Sequence, residues 1–268
     1  MRATPSSSLP AHWPEYLIEA FCLGAFMVSA SGFAMLLEHP DSPVRAVLAD
    51  DFVRRALMGV AMGLTAIALI YSPWGRQSGA HMNPAVTLAF FRLGKVAPAD
   101  ALAYMLGQFI GGAAAMLGMG AVFAKMLSVP QVHYVATLPG NSGTGVAFLA
   151  EAFISGLLMA VVLVVSNRTA LARFTGLFAG VCVALFITFE APLSGMSMNP
   201  ARTFASALAA RDWTALWIYF TAPPLGMLAA TELYHRLAGA RACAKLHHQN
   251  TRRCIFCEYQ RQRAKNET

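Results

Sequence analysis

The second half of this chain repeats the first. Ser78-Gly79-Ala80-His81-Met82-Asn83-Pro84-Ala85 returns as Ser194-Gly195-Met196-Ser197-Met198-Asn199-Pro200-Ala201. Upstream of that segment, Glu19-Ala20-Phe21 with Gly24 and Met27 returns as Glu151-Ala152-Phe153 with Gly156 and Met159. Gly59 and Gly63 return as Gly176 and Gly180, and downstream Tyr104 and Gly111 return as Tyr219 and Gly226. Matches in the same order in both halves mark an internal duplication.

Each half holds three apolar runs, at 16–37, 56–73 and 101–124, then 146–166, 173–190 and 213–236. A bilayer span needs roughly 20 mostly apolar residues, so all six are spans. Composition closes the alternative. Only 12% of the 268 residues are charged and 57% are apolar, whereas a soluble domain carries about 25% charged residues. Three is an odd number, so the second half enters the membrane from the opposite side, as an inverted repeat about an axis in the membrane plane. The sequence therefore divides into a tail (1–15), a first repeat (16–124), a connection (125–145), a second repeat (146–236) and a basic tail rich in Cys and His (237–268). Glycines four apart, as at Gly59/Gly63, Gly107/Gly111 and Gly176/Gly180, let helix backbones approach closely inside a bilayer.

The net charge of +7 does not call for nucleic acid, because its distribution orients the protein. With both termini inside, most Lys and Arg fall on the cytoplasmic side and only positions 45, 54, 55, 125 and 211 on the other, Arg202 set apart. That bias is the positive-inside pattern and predicts a plasma (inner) membrane protein. The run after residue 15 is too long for the core of a cleavable signal, so it is expected to stay as the first span.

Ser78 to Leu93 and Ser194 to Ala210 lie between spans and are too short to cross, yet too apolar for a water-exposed loop. Irregular backbone at membrane depth is tolerated where it lines a cavity, so both are expected to be re-entrant. Asn is a preferred N-cap and Pro suits the first helical position. Each Asn-Pro therefore starts a short helix. With the side-chain oxygen capping, the amide NH₂ of Asn83 and Asn199 is left to donate. Two such helices meeting N-terminus to N-terminus place roughly half a positive charge each at the midplane. This site accepts the oxygen of a passing molecule and repels cations.

Two Asn-Pro-Ala turns (Asn83-Pro84-Ala85 and Asn199-Pro200-Ala201) at equivalent places of an inverted repeat make the chain resemble the aquaporin, or major intrinsic protein, family over 15–236. The resemblance implies an all-α membrane fold of six transmembrane helices plus two re-entrant half-helices. It also implies passive permeation through each subunit and a homotetramer. By the same resemblance, Glu19 and Glu151 brace the re-entrant loops, Arg202 donates to the permeant in the constriction, and Met62, Ile187 and Met196 stand beside it. His81 lines the cytoplasmic vestibule, as a packed histidine. Strict water channels of the family carry an aromatic residue and a His where Met62 and Ile187 stand, and Met and Ile give an apolar, adaptable wall. Other family markers point to water: Thr203 after the Arg, Ala207, and Tyr219-Phe220 in the last span. Water is the expected first permeant, with glycerol or a neutral metalloid hydroxide as the alternative.

A secondary transporter is the rival class, since inverted repeats and broken helices also build those. It needs ligands for a coupling ion, and the only deep acids read from the sequence are Glu19 and Glu151. No nucleophile–base spacing supports an enzyme, and the pore needs no cofactor. In the tail, Cys254-Ile255-Phe256-Cys257 with Cys243 and His247, or His248, supplies four ligands for zinc. The alternative is a basic segment lying on anionic lipid.

Overall fold

The computed structural model describes residues 9–238, 243–248 and 253–267. Among them every regular element is helical: α1 (Leu9–Glu38), α2 (Asp51–Tyr71), α3 (Pro84–Arg92), α4 (Pro98–Leu127), α5 (Gly143–Asn167), α6 (Thr175–Phe189), α7 (Pro200–Ala210), α8 (Leu216–Ala238) and α9 (Ile255–Glu267). Short helices at Pro43–Val47, Pro73–Ser78 and Ala191–Ser194 join them. Five helices are long and apolar enough to cross a membrane: α1, α2, α4, α5 and the segment Ala172–Phe189 that contains α6. The sixth, α8, runs for 23 residues through Pro223 and Pro224, which membrane helices tolerate when neighbours satisfy the freed carbonyls.

The packing has the symmetry of the sequence. α1 lies along α4, α5 lies along α8, and α2 and α6 cross at the centre. The half-helix α3 packs mainly on α8 of the other repeat, and α7 mainly on α4, so the repeats interlock. Glycine makes the tightest crossings. A Cβ on Gly111 would stand 2.0 Å from the Ala20 carbonyl oxygen, and one on Gly226 2.0 Å from that of Ala152. In lipid, where apolar surface gains nothing by hiding from water, such close packing carries much of the association.

Polarity is distributed inside out. Leu17, Phe21, Leu64, Ile110, Phe153 and Leu225 face outward, while Glu19, Gln108, Glu151, Ser155 and Thr231 are buried. A surface of this kind suits hydrocarbon, and the chain is a multi-pass membrane protein.

Two boundaries differ from the sequence reading. α1 reaches back to Leu9, so residues 9–15 are its first turns and not tail. They are held there by polar contacts: His12 Nδ1 lies 2.9 Å from Asp100 Oδ1, and Gln77 donates to Glu15. The connection is shorter than 125–145, because α4 continues to Leu127 and α5 starts at Gly143. It is tied to the second re-entrant loop, with the Gly140 N–H on the Leu193 carbonyl at 3.0 Å.

Candidate pore

Asn83 and Asn199 both have extended backbones and cap α3 and α7. Asn83 Oδ1 accepts the Ala85 N–H at 2.8 Å; Asn199 Oδ1 accepts those of Ala201 and Arg202 at 3.1 and 3.2 Å. Pro84 and Pro200 occupy the first helical position. The two caps meet. Asn83 Nδ2 donates to the Met198 carbonyl and Asn199 Nδ2 to the Met82 carbonyl, both at 2.7 Å. The amides are therefore not wholly free, as the sequence reading had them. One N–H of each ties the repeats together and aims the group, and the second is left for the pore.

The approach to each cap is strained in the same way. Gly79, Ala80 and Met82 have positive φ in the first loop, and Gly195, Met196 and Met198 in the second. A left-handed conformation is costly for Ala and Met, so something must hold it. Glu19 and Glu151 do so. Glu19 accepts the Ser78 hydroxyl and the His81 N–H on one oxygen, at 2.7 and 3.0 Å, and the Met82 N–H on the other, at 2.6 Å. Glu151 accepts the Ser194 hydroxyl and Ser197 N–H on one oxygen, at 2.8 and 2.6 Å, and the Met198 N–H on the other, at 2.7 Å.

Several supporting residues went unassigned in the sequence. Tyr104 donates its hydroxyl to the Ser78 carbonyl at 2.8 Å, and Tyr219 donates to the Ser194 carbonyl at 2.6 Å. Thr87, beside His81, and Thr203, bonded to Ser197 Oγ, fill matching places. Each pair is identical in the two halves, and that identity was the available signal. Gln108, which donates to Glu19 at 2.8 Å, has no such twin. Glu190, the last residue of the 173–190 run, is a further buried acid that the sequence reading did not single out. It accepts the Ser194 hydroxyl, so it too serves the loop.

A continuous cavity of about 590 Å³ passes both caps. Met62, Ile187, Met196 and Arg202 all line it, as do Asn83, Asn199 and His81, so the filter residues named from the sequence come together. Arg202 Nη1 is enclosed with no protein hydrogen-bond partner among the described residues. An enclosed donor left unmade is expensive, unless the molecule in the pore supplies the acceptor.

The profile of the family described as "Major intrinsic protein" matches residues 7–234. The chain belongs to the major intrinsic protein family. Among curated relatives, it is 35% identical to aquaporin NIP1-3 of Oryza sativa over 66% of this chain and 60% of that one. It is 38% identical to a probable aquaporin of Archaeoglobus fulgidus over 68% of this chain and 76% of the other. The match thus spans less than two thirds of the length of NIP1-3. The fold is that of the aquaglyceroporin from Plasmodium falciparum, with a TM-score of 0.67 at 20% identity, covering 84% of this chain and 96% of that one.

The C-terminal segment contradicts one sequence expectation and decides between the two histidines left open in another. It does not lie away from the pore on lipid: Cys243, Ala244, Leu246, Ile255 and Phe256 join the main hydrophobic core. The polar cluster comprises Cys243, His248, Cys254 and Cys257, and His247 is not part of it. The His247 ring packs edge-on against Tyr71 at 5.0 Å, which turns it from the thiols. Of the basic tail, residues 239–242, 249–252 and 268 lie outside the described residues.

Proposed function

We propose that this protein is a passive channel for water and small uncharged solutes that excludes ions and protons. The observation that carries the reading is the meeting of two helix N-termini at Asn83 and Asn199 on one cavity wall, with the enclosed Nη1 of Arg202 beside them. A solute oxygen can accept from these groups in turn. A cation meets two positive helix ends and a guanidinium there, and the carboxylates of Glu19 and Glu151 are committed to loop N–H groups. The same commitment argues against an ion-coupled carrier. No chemical conversion is required of any residue. The charge bias supports a plasma (inner) membrane location with both termini cytoplasmic, and family membership supports a homotetramer.

Vesicles carrying the protein are expected to shrink faster than empty ones under an osmotic step while staying ion-tight. Flux is expected to ignore ionophores and not to saturate. Saturating, ionophore-sensitive flux would overturn the channel reading in favour of a carrier.

A second permeant class is favoured by one feature. Three of the four filter residues, Met62, Ile187 and Met196, are apolar, and the two methionines are unbranched and flexible enough to yield. A wall of that kind tolerates a carbon-bearing solute such as glycerol, or a neutral metalloid hydroxide. Parallel water and glycerol traces from one vesicle preparation separate the two: glycerol uptake at background would leave water alone.

A further inference from the structure

The four side chains brought together in the C-terminal segment have the geometry of a metal site. Cys243 Sγ is 3.6 Å from Cys254 Sγ and 3.8 Å from Cys257 Sγ, and His248 Nε2 is 3.2 Å from Cys257 Sγ. All four ligand atoms lie within 4.8 Å of one another. Around tetrahedral zinc, sulfurs at about 2.3 Å from the ion stand about 3.8 Å apart. The sulfurs are also well beyond the ~2.05 Å of a disulfide. Three thiolates and one imidazole make a closed set of structural type, with no position left for substrate.

The position of the cluster matters as much as its geometry. Residues 244–246, just after the first ligand, are seated on the inner mouth of the pore. Ala244 gives its carbonyl to His81 Nε2 at 2.9 Å, Leu246 N–H donates to the Gly79 carbonyl at 3.1 Å, and Lys245 Nζ donates to the Arg76 carbonyl at 2.8 Å. Phe256, between the last two cysteines, stacks on the His81 ring with 7° between planes and 5.4 Å between centroids. Leu246 lines the pore cavity itself. Gly79 is a point of close approach: a Cβ there would meet Lys245 and Phe256 at 3.1 Å each.

We propose that Cys243, His248, Cys254 and Cys257 bind one zinc ion, and that the metal staples residues 243–248 and 253–257 over the cytoplasmic mouth as a plug whose tip is Leu246. A short irregular segment has little core of its own, and a structural zinc site supplies folding free energy that such a segment lacks. Removing the ion frees the segment and opens the mouth. The gating half of the proposal rests on the channel reading; the metal site does not.

The test uses the full chain, purified without added metal and then dialysed against zinc. Bound zinc is expected at one equivalent per chain. It is expected to be lost in Cys254→Ser/Cys257→Ser, weakened in His248→Ala and unchanged in His247→Ala. Cobalt loaded in its place is expected to show the absorption of a tetrahedral thiolate site. In vesicles, a membrane-permeant chelator is expected to raise water permeability several-fold, and added zinc to reverse the rise. Leu246→Ala/Phe256→Ala, which keeps all four ligands, is expected to bind zinc yet conduct at the open rate with or without chelator.

No zinc in the native chain, or equal zinc in the double cysteine variant, overturns the site. Loss of zinc with no change in water flux overturns the plug. If no variant conducts under any condition while zinc binds stoichiometrically, the channel reading falls and the metal site stands.

Discussion

The two re-entrant loops share a scaffold and differ where they face the pore. In both, a buried Glu takes two loop N–H groups and a Ser hydroxyl, a Tyr hydroxyl holds the Ser carbonyl, and an Asn caps the half-helix. At the pore-facing positions the halves part. Ala80 stands opposite Met196, His81 opposite Ser197, and Val86 opposite Arg202, and all six line the cavity. The shared residues build the turn; the unshared ones choose what passes. Duplication supplied one loop twice, and the bracing Glu, Ser, Tyr and Asn stayed fixed while these three cavity-lining positions diverged.

The comparison is most strongly tested at the braces. Glu151→Ala leaves the Ser197 and Met198 N–H groups and the Ser194 hydroxyl without their acceptor. Each buried orphan costs about 1–3 kcal/mol, and the positive-φ backbone loses its support. Loss of most folded protein is expected, read as the fraction surviving a thermal ramp in detergent, with Glu19→Ala as damaging. A mild effect at one site only would break the equivalence of the loops.

Next in size is Arg202→Val, which makes the second loop like the first at this position. Folding is expected to survive, because the Nη1 of Arg202 bonds no protein group among the described residues. Water flux is expected to continue while cation leak, followed by dye quenching in vesicles, rises clearly. Unchanged ion exclusion would assign the barrier to the helix ends alone.

Ile187→His acts on the filter without touching a loop. A polar ring there narrows the apolar wall, and any glycerol uptake is expected to fall with water flux retained. The smallest effect is expected from Tyr219→Phe, which deletes one hydrogen bond worth about 1 kcal/mol. A matching drop in stability for Tyr104→Phe would sharpen the symmetry, and unequal drops would show that the Gln108–Glu19 contact shares the load in the first half.

The fold and most of the pore were legible because duplication writes structure twice. Asn-Pro caps, buried acids and paired glycines each reported a local need, and their repetition told need from accident. Some of what had no twin was missed. Gln108, Glu190 and the choice of His248 over His247 belong to one half or to none, so the sequence had no second copy to check them against. The free amides of Asn83 and Asn199 were misjudged for another reason: each donates across to a carbonyl more than a hundred positions away, and no local pattern encodes that reach.

By itself, then, the sequence determined six crossings, an inverted pair of short helices and the residues that cap them. Those follow from length, hydropathy and the local bonding of Asn, Pro and Gly. Only the tertiary structure decided that the C-terminal cysteines stand under the pore, with Leu246 in its mouth and Phe256 on His81. The reason is physical. Spans are dictated by the solvent that surrounds them, whereas the resting place of a short polar segment is set by contacts with elements far away in the chain.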